Sequence, residues 1–146
     1  MEPKIFFTDL DETLLTREKS MTPATVDAIR RLTDAGHYLA FTSCRPLKSV
    51  MEALSLLPIT DHHLYYIANN GGLIVDAETG EHIRELRMTF EEVNYLLNTT
   101  WAEGIHCHTY TDEQIVTHER TKELTFYQQS IHLPALITDD VLGALE

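Results

Sequence analysis

Two aspartates near the N-terminus are the residues best placed to do chemistry. Asp9 and Asp11 follow a short apolar run at residues 5–8, which predicts a buried β-strand. A carboxylate at a strand end can attack phosphorus, and a second one two residues away can give and take the proton. Because two carboxylates repel a phosphate dianion, a cation is needed, and an all-oxygen site suits Mg²⁺. The pair predicts phosphoryl transfer with Asp9 as nucleophile and Asp11 as general acid and base.

Two further polar segments follow predicted strands. Ser43, Cys44 and Arg45 come after residues 37–42, and Asn70 and Gly71 come after residues 64–68. The Ser43 hydroxyl and the N–H groups of Cys44 and Arg45 could bind phosphate before a helix N-terminus, although Ser43 could also cap that helix. Arg45 could contact substrate or pair with a surface carboxylate. Asn70 could face the site or only form the turn before two glycines.

The intervening segments predict how these residues are positioned. Thr22 and Pro23 open a helix that Gly36 ends, and Pro46 starts another that stops before Pro58, with Leu57 as its last apolar position. The order β-α-β-α-β predicts a parallel sheet, and ligands bind beyond the carboxyl ends of its strands. The three polar segments are therefore expected to converge on one crevice.

The pattern changes after Gly72. Residues 73–75 and 82–84 predict a hairpin, and Thr89 with Glu92 predicts a capping box on a helix that Gly104 ends. A second hairpin is expected at residues 105–110 and 115–118, then a helix from about residue 119 and a tail without clear pattern. We place a boundary near residues 76–88, giving 1–78 as an α/β core and 79–146 as a small α+β lobe.

The composition excludes several classes of function. Eleven basic against 23 acidic residues give a formal charge of −12, so the chain lacks the basic face that nucleic acid or an anionic membrane requires. No apolar stretch is long enough to span a membrane, and residues 1–8 do not resemble a signal peptide. Cys44 and Cys107 form no disulfide framework, which predicts the cytoplasm.

These motifs resemble those of the haloacid dehalogenase (HAD) superfamily. The run Asp-Leu-Asp-Glu-Thr-Leu-Leu at residues 9–15 is similar to its first motif, and Ser-Cys-Arg-Pro at 43–46 resembles the second motif of the Cof-type sugar-phosphatase-like branch. Asn-Asn-Gly-Gly at 69–72 is similar to the signature after that branch's third strand. The resemblance implies an α/β fold: a partial HAD-like Rossmannoid parallel sheet with a partial inserted α+β cap.

The resemblance also implies a function and a set of site residues. It implies a Mg²⁺-dependent phosphohydrolase of small phosphorylated metabolites such as sugar phosphates, acting through an aspartyl-phosphate. Asp9 and Asp11 would also hold Mg²⁺, Asp11 through its backbone carbonyl, and Ser43, Cys44, Arg45, Asn70 and Gly71 would bind phosphate or substrate. Glu12 and Cys44 stand where the family has glycine.

The lysine of the family's third motif and the acidic residues of its fourth have no match here; neither Lys122 nor the pair Asp139-Asp140 lies in the required context. We expect the truncated sheet to leave residues 5–7 as an uncovered apolar edge, which favours self-association or a complementing chain. The activity of this chain alone is then expected to be weak.

Other functions fit less well. An EF-hand starting at Asp9 would need glycine at Leu14 and glutamate at Ser20. His106 and His108 share a face of the predicted strand, but no third zinc ligand accompanies them, and no histidine base lies beside Cys44 in sequence. A noncatalytic HAD-like binding or association module, or a phosphomutase of the same superfamily, would carry the same N-terminal motifs.

Overall fold

The computed structural model describes residues 2–55 and 62–145. They form two compact units, Met1–Leu86 and Arg87–Glu146. The predicted end of the second helix, at Leu57 and Pro58, lies outside the described residues.

The first unit contains one mixed sheet. Its strands lie in the spatial order β1-β2-β3-β4-β5, with the first three parallel and the last two antiparallel to their neighbours. The strands are β1 (Ile5–Asp9), β2 (Tyr38–Thr42), β3 (Leu64–Ala68), β4 (Leu73–Asp76) and β5 (His82–Glu85). The parallel order and the first hairpin are thus as predicted, and the hairpin makes the sheet mixed.

Two helices connect the parallel strands. Helix α1 (Pro23–Asp34) begins at Thr22, whose hydroxyl accepts a hydrogen bond from the Thr25 N–H. Gly36, with φ +77°, adopts the left-handed conformation that follows the end of α1. Helix α2 (Leu47–Ser55) packs Val50 and Leu54 into the same core as Phe41. No helix in residues 2–55 or 62–145 is long and apolar enough to cross a membrane.

The boundary between the units falls later than residue 78. Strand β5 pairs with β4, so residues 82–85 belong to the first sheet. The Leu86 N–H also donates to the Gly72 carbonyl oxygen over 2.7 Å. Hydrogen bonding across the hairpin therefore keeps residues 79–86 with the first unit, which ends at Leu86.

Strand β1 is an exposed edge of the sheet. Within residues 2–55 and 62–145 it pairs only with β2, and Ile5, Phe6 and Phe7 remain exposed although they alternate between the two faces. Phe7 keeps 62% of its surface accessible. The apolar composition of β1 is typical of a strand inside a sheet. Among the described residues β1 instead lies at the edge, where one side of its backbone has no strand partner and its apolar side chains are exposed.

The second unit is a small α+β lobe. It contains α3 (Phe90–Ala102), β6 (Thr109–Tyr110), β7 (Ile115–Thr117), α4 (Lys122–Ile131) and β8 (Ala135–Ile137). Thr89 and Glu92 form the predicted capping box at the start of α3. Strand β7 pairs antiparallel with β6 and parallel with β8, so a third strand lies in the tail that the sequence left unassigned.

The prediction of a strand over residues 105–108 is wrong. Strand β6 begins only at Thr109. The Cys107 carbonyl oxygen instead accepts hydrogen bonds from two side chains, Trp101 Nε1 at 3.1 Å and Thr117 Oγ1 at 3.0 Å. Because side chains satisfy this carbonyl, the segment has no ladder partner there. The predicted start of the next helix also moves, from about residue 119 to Lys122, where Thr121 provides the cap.

Candidate functional site

The carboxyl ends of the three parallel strands lie side by side. Asp9 is in register with Thr42, and Thr42 is in register with Ile67. The polar segments that follow β1, β2 and β3 therefore begin at the same edge of the sheet, as predicted. This edge is the candidate site.

Buried leucines hold the loop after β1 in place. Leu10 and Leu15 are fully or almost fully buried, and the Leu15 N–H donates to the Leu10 carbonyl oxygen over 2.8 Å. With Leu10 in the core, Asp9 is left exposed on the strand end and Asp11 is half-buried. The pattern of two carboxylates around one apolar residue thus separates them into different environments.

Glu12 stands in a conformation that favours glycine. Its φ is +55°, in the left-handed region, where a Cβ costs about 1–2 kcal/mol. Its side chain makes an exposed ion pair with Arg17 at 3.8 Å, which adds little stability. Glu12 replaces the glycine of the family at this position, and its backbone keeps the left-handed conformation at a cost in strain.

The Asp11 carboxylate is held by two cations. Arg45 binds it with two parallel hydrogen bonds of 2.7 Å, Nε to Oδ2 and Nη2 to Oδ1, and Lys19 Nζ lies 2.6 Å from Oδ1. The hydrogen bonds from Arg45, with those from Lys19, outweigh partial burial and lower the pKa of Asp11 to about 2. Asp11 is therefore ionised at neutral pH.

Arg45 is fixed from both ends. Only 6% of its surface is accessible, and its Nη1 donates to the buried Ser49 Oγ at 3.1 Å. Its backbone N–H donates to Ser43 Oγ at 3.2 Å, so that N–H is already used within the turn rather than open to phosphate. Arg45 pairs with the predicted acid and base instead of with a surface carboxylate.

Ser43 is buried in the turn and does not cap α2, which begins later.

Backbone hydrogen bonds tie the third segment to the second. The Asn69 N–H donates to the Arg45 carbonyl oxygen at 2.9 Å, and the Asn70 N–H donates to the Ser43 carbonyl oxygen at 3.2 Å. Asn69, Asn70 and Gly71 all have positive φ and form one short 3₁₀ turn. Asn70 is exposed and fills the turn position predicted for it; Gly71 is half-buried beside it. The structure thus brings the second and third segments together.

Two contacts at this site had no clear sequence signal. Lys19 lies in the loop between β1 and α1 with no motif around it. Ser49 lies four residues after Arg45, a spacing that would indicate the contact only once the start of α2 is known. Cys44, predicted at the phosphate site, has an exposed free thiol.

The predicted metal ligands provide only part of a cation site. In residues 2–55 and 62–145 no group of three or more His, Cys, Asp and Glu side chains is arranged to hold a metal ion. The exposed Asp9 carboxylate makes no hydrogen bond or ion pair within the described chain, whereas that of Asp11 is engaged by Arg45 and Lys19. Asp9 therefore fits a Mg²⁺ ligand, and Asp11 fits only through its backbone.

The sequence profile of the haloacid dehalogenase-like hydrolases matches residues 6–140. The chain belongs to this family. A Streptococcus pyogenes protein, named as a proposed phosphatase, is 32% identical over 120 residues, which cover 82% of this chain and 45% of that protein. An HMP-PP phosphatase of Yersinia pestis is 28% identical over 116 residues, which cover 80% of this chain and 41% of that protein.

Solved structures of this family share the fold. A haloacid dehalogenase-like hydrolase from Bacteroides thetaiotaomicron superposes with a TM-score of 0.86 at 22% identity, over 99% of this chain and 55% of that chain. A sugar phosphatase of HAD subclass IIB superposes with a TM-score of 0.77 at 21% identity, over 97% and 55%. The predicted HAD-like α/β fold is confirmed. The chain spans less than half the length of the two curated relatives.

The two histidines considered as metal ligands form a hydrogen-bonded chain in the second unit of this HAD-like protein. His106 Nε2 lies 2.9 Å from His108 Nδ1, and His108 Nε2 lies 2.8 Å from the Tyr110 hydroxyl, which donates to the Tyr127 hydroxyl at 2.7 Å. At the other end the Thr121 hydroxyl lies 3.1 Å from His106 Nδ1. With both rings neutral, each ring N–H in this chain can meet an acceptor, His106 Nε2–H at His108 Nδ1 and His108 Nε2–H at the Tyr110 hydroxyl. The histidines are thus bound to each other and to hydroxyls.

The ion pair predicts a difference between the two aspartates. Asp11→Asn removes the charge that Arg45 and Lys19 share, so we expect the free energy of unfolding to fall by about 1–3 kcal/mol. Asp9→Asn alters an exposed carboxylate without described partners, so we expect a change within about 0.5 kcal/mol. Urea denaturation at neutral pH measures both. Equal losses in the two variants would contradict the arrangement.

The histidine chain predicts a pH dependence of stability. Burial, and then the neighbouring His106, lower the pKa of His108 from 6.5 to about 4. As the pH falls, His108 takes up a proton in the unfolded state before it does so in the folded state. The stability contributed by neutral His108 is therefore complete above about pH 6.5 and is lost as the pH falls towards 4. His108→Asn should flatten this part of the profile of unfolding free energy against pH. His132→Asn, at an exposed histidine with φ +57°, is the control that should keep the slope; identical profiles for wild type and His108→Asn would refute the assignment.

Proposed function

We propose that the site at the carboxyl ends of β1, β2 and β3 hydrolyses phosphate esters of small metabolites, sugar phosphates among them. The observation that carries the proposal is the pair of aspartates around Leu10: the Asp9 carboxylate is exposed and has no hydrogen bond or ion pair among the described residues, while the Asp11 carboxylate is fixed by Arg45. The relatives named as phosphatases support the same substrate class. Phosphoryl transfer requires one group that is open to attack and a second that is positioned for proton transfer.

The proposed reaction has two steps. An Asp9 carboxylate oxygen attacks phosphorus, the bond from phosphorus to the leaving oxygen breaks, and Asp11 gives that oxygen a proton. Water then attacks the phosphorus of the aspartyl-phosphate, Asp11 takes a proton from the water, and the bond to Asp9 breaks to release phosphate. The lowered pKa of Asp11 suits the second step, since an ionised carboxylate is a base. The first step requires Asp11 to be protonated, so its carboxylate must first part from at least one cation and take up a proton from water.

Mg²⁺ is the proposed cofactor. It would neutralise charge on the phosphoryl group. The Asp9 carboxylate and the Asp11 backbone carbonyl would hold it, with waters completing the coordination, because Mg²⁺ keeps several waters in sites of one or two carboxylates. Ser43, Cys44, Asn70 and Gly71 are proposed to surround the phosphate, and Arg45, also predicted there, is proposed to hold Asp11 beside it. A cytoplasmic location stays a prediction from the two free cysteines.

The proposed hydrolysis can be tested on the 146-residue chain. We expect slow hydrolysis of p-nitrophenyl phosphate that requires Mg²⁺, and we expect Asp9→Asn to abolish it because the nucleophile is lost. Circular dichroism of Asp9→Asn checks that the variant is folded. Turnover equal in wild type and Asp9→Asn would contradict catalysis by this chain and favour the noncatalytic binding or association module.

We also propose that a further strand pairs with the β1 edge, and that in the purified chain a second copy supplies it. The support is the exposure of Ile5, Phe6 and Phe7 beside unpaired backbone groups. A complementing chain that carries the lysine and acidic residues of the family's later motifs could occupy the same edge.

The edge predicts concentration-dependent association. In sedimentation velocity we expect the mean sedimentation coefficient to rise with protein concentration. Phe7→Lys should suppress this rise, because a lysine on an edge strand opposes pairing. Phe126→Lys changes a phenylalanine on α4 that is even more exposed than Phe7, and it should leave the rise intact. A monomer at every concentration, or equal suppression by both variants, would argue against self-pairing through β1.

A further inference from the structure

Lys19 binds the predicted acid and base from a different direction than Arg45. Its Nζ lies 2.6 Å from Asp11 Oδ1, the same oxygen that Arg45 Nη2 approaches to 2.7 Å. The other oxygen, Oδ2, accepts a hydrogen bond from Arg45 Nε at 2.7 Å. One carboxylate thus carries two full positive charges, and one of its oxygens is shared between them.

The two cations differ in how firmly they are held. Arg45 is buried and has a third anchor at Ser49 Oγ, so its position does not depend on Asp11 alone. The Lys19 side chain is 42% exposed, and Asp11 is its only ion-pair partner in the described chain. An exposed lysine–carboxylate pair is a weak interaction, so exchanging the partner of Lys19 costs little. Lys19 is the cation that can move.

The backbone keeps Lys19 beside the site. A turn after the buried Leu15 joins the Thr16 N–H to the Ser20 carbonyl oxygen over 2.8 Å, and the Lys19 N–H to the Thr16 carbonyl oxygen over 3.0 Å. The Thr16 and Ser20 hydroxyls also lie 3.0 Å apart. This turn fixes the origin of the lysine side chain, while its unbranched stem leaves the ammonium free to change partner.

Binding of a phosphoryl group would add negative charge that Lys19 can offset. Asp9 and Asp11 are matched by Arg45 and Lys19, and a phosphoryl dianion adds two negative charges to this set. Of the two cations paired with Asp11, Lys19 is the one that can approach the dianion without leaving a buried position, and it would act beside the proposed Mg²⁺.

We propose that Lys19 is a phosphate-binding residue that exchanges Asp11 Oδ1 for an oxygen of the substrate phosphoryl group. The exchange neutralises part of the incoming charge and frees Oδ1 to contact the leaving oxygen. Arg45 keeps Oδ2 in place through Nε, so Asp11 remains oriented. The inference rests on the proposed function, because it assigns the phosphoryl group to the same strand ends.

Phosphate binding by the whole chain tests the exchange. Inorganic phosphate is titrated at constant ionic strength into protein labelled with ¹⁵N and ¹³C, following the Arg45 Nε–H and the Lys19 ¹³Cε signals. We expect both signals to shift with one dissociation constant. Lys19→Met should weaken phosphate binding about tenfold and Lys19→Arg less than about threefold, because arginine keeps the charge. Lys122→Met, at an exposed lysine of the second unit, should leave the constant unchanged.

A double-mutant cycle separates partner exchange from a structural role. Asp11→Asn releases Lys19 from its present partner, so it should strengthen phosphate binding several-fold, and this gain should vanish in the Lys19→Met background. Wild-type binding retained in Lys19→Met, with Asp9-dependent hydrolysis intact, would overturn the role of Lys19 and leave the proposed function standing. No phosphate-dependent shift at Arg45 in the wild type would overturn both.

Discussion

The ion pair between Asp11 and Arg45 is the interaction on which the arrangement of the site depends. It joins the loop after β1 to the turn after β2, through two parallel hydrogen bonds that fix the carboxylate in orientation as well as in position. The turn after β2 accepts backbone hydrogen bonds from Asn69 and Asn70, which follow β3. One pair of side chains therefore links all three strand ends, with the backbone carrying the connection from the second to the third.

The same pair makes the two aspartates unequal. A buried guanidinium must be matched by an acceptor, because an unpaired charge in that position costs several kcal/mol. Asp11 satisfies this requirement and becomes a fixed anion, whereas Asp9 is left exposed at the end of an edge strand. The division into one restrained carboxylate and one available carboxylate follows from the packing of Leu10 and Arg45, before any substrate is considered.

Sequence reasoning predicted the elements of the first unit and the convergence of its polar segments, because strand alternation, helix caps and the parallel order are local or nearly local properties. It predicted Arg45 near the site but not its partner. The bidentate contact between Arg45 and Asp11 depends on the relative position of two loops, which the periodicity of the sequence does not predict. Lys19 was missed for the same reason. The late start of β6 at Thr109 depends on the side-chain hydrogen bonds of Trp101 and Thr117 to Cys107, and β8 depends on pairing with β7; strand alternation predicts neither.

The exposed edge and the proposed nucleophile belong to one strand, which couples assembly to chemistry. Asp9 is the last residue of β1, and β1 is held to the sheet on one side only. A strand bound along the free side would restrict the motion of β1 and bury Ile5, Phe6 and Phe7, while Asp9 would stay at the carboxyl end. Lower mobility of an attacking carboxylate reduces the entropy that must be lost to reach the transition state. A strand that pairs with β1 would therefore affect Asp9, the proposed nucleophile, without contacting it.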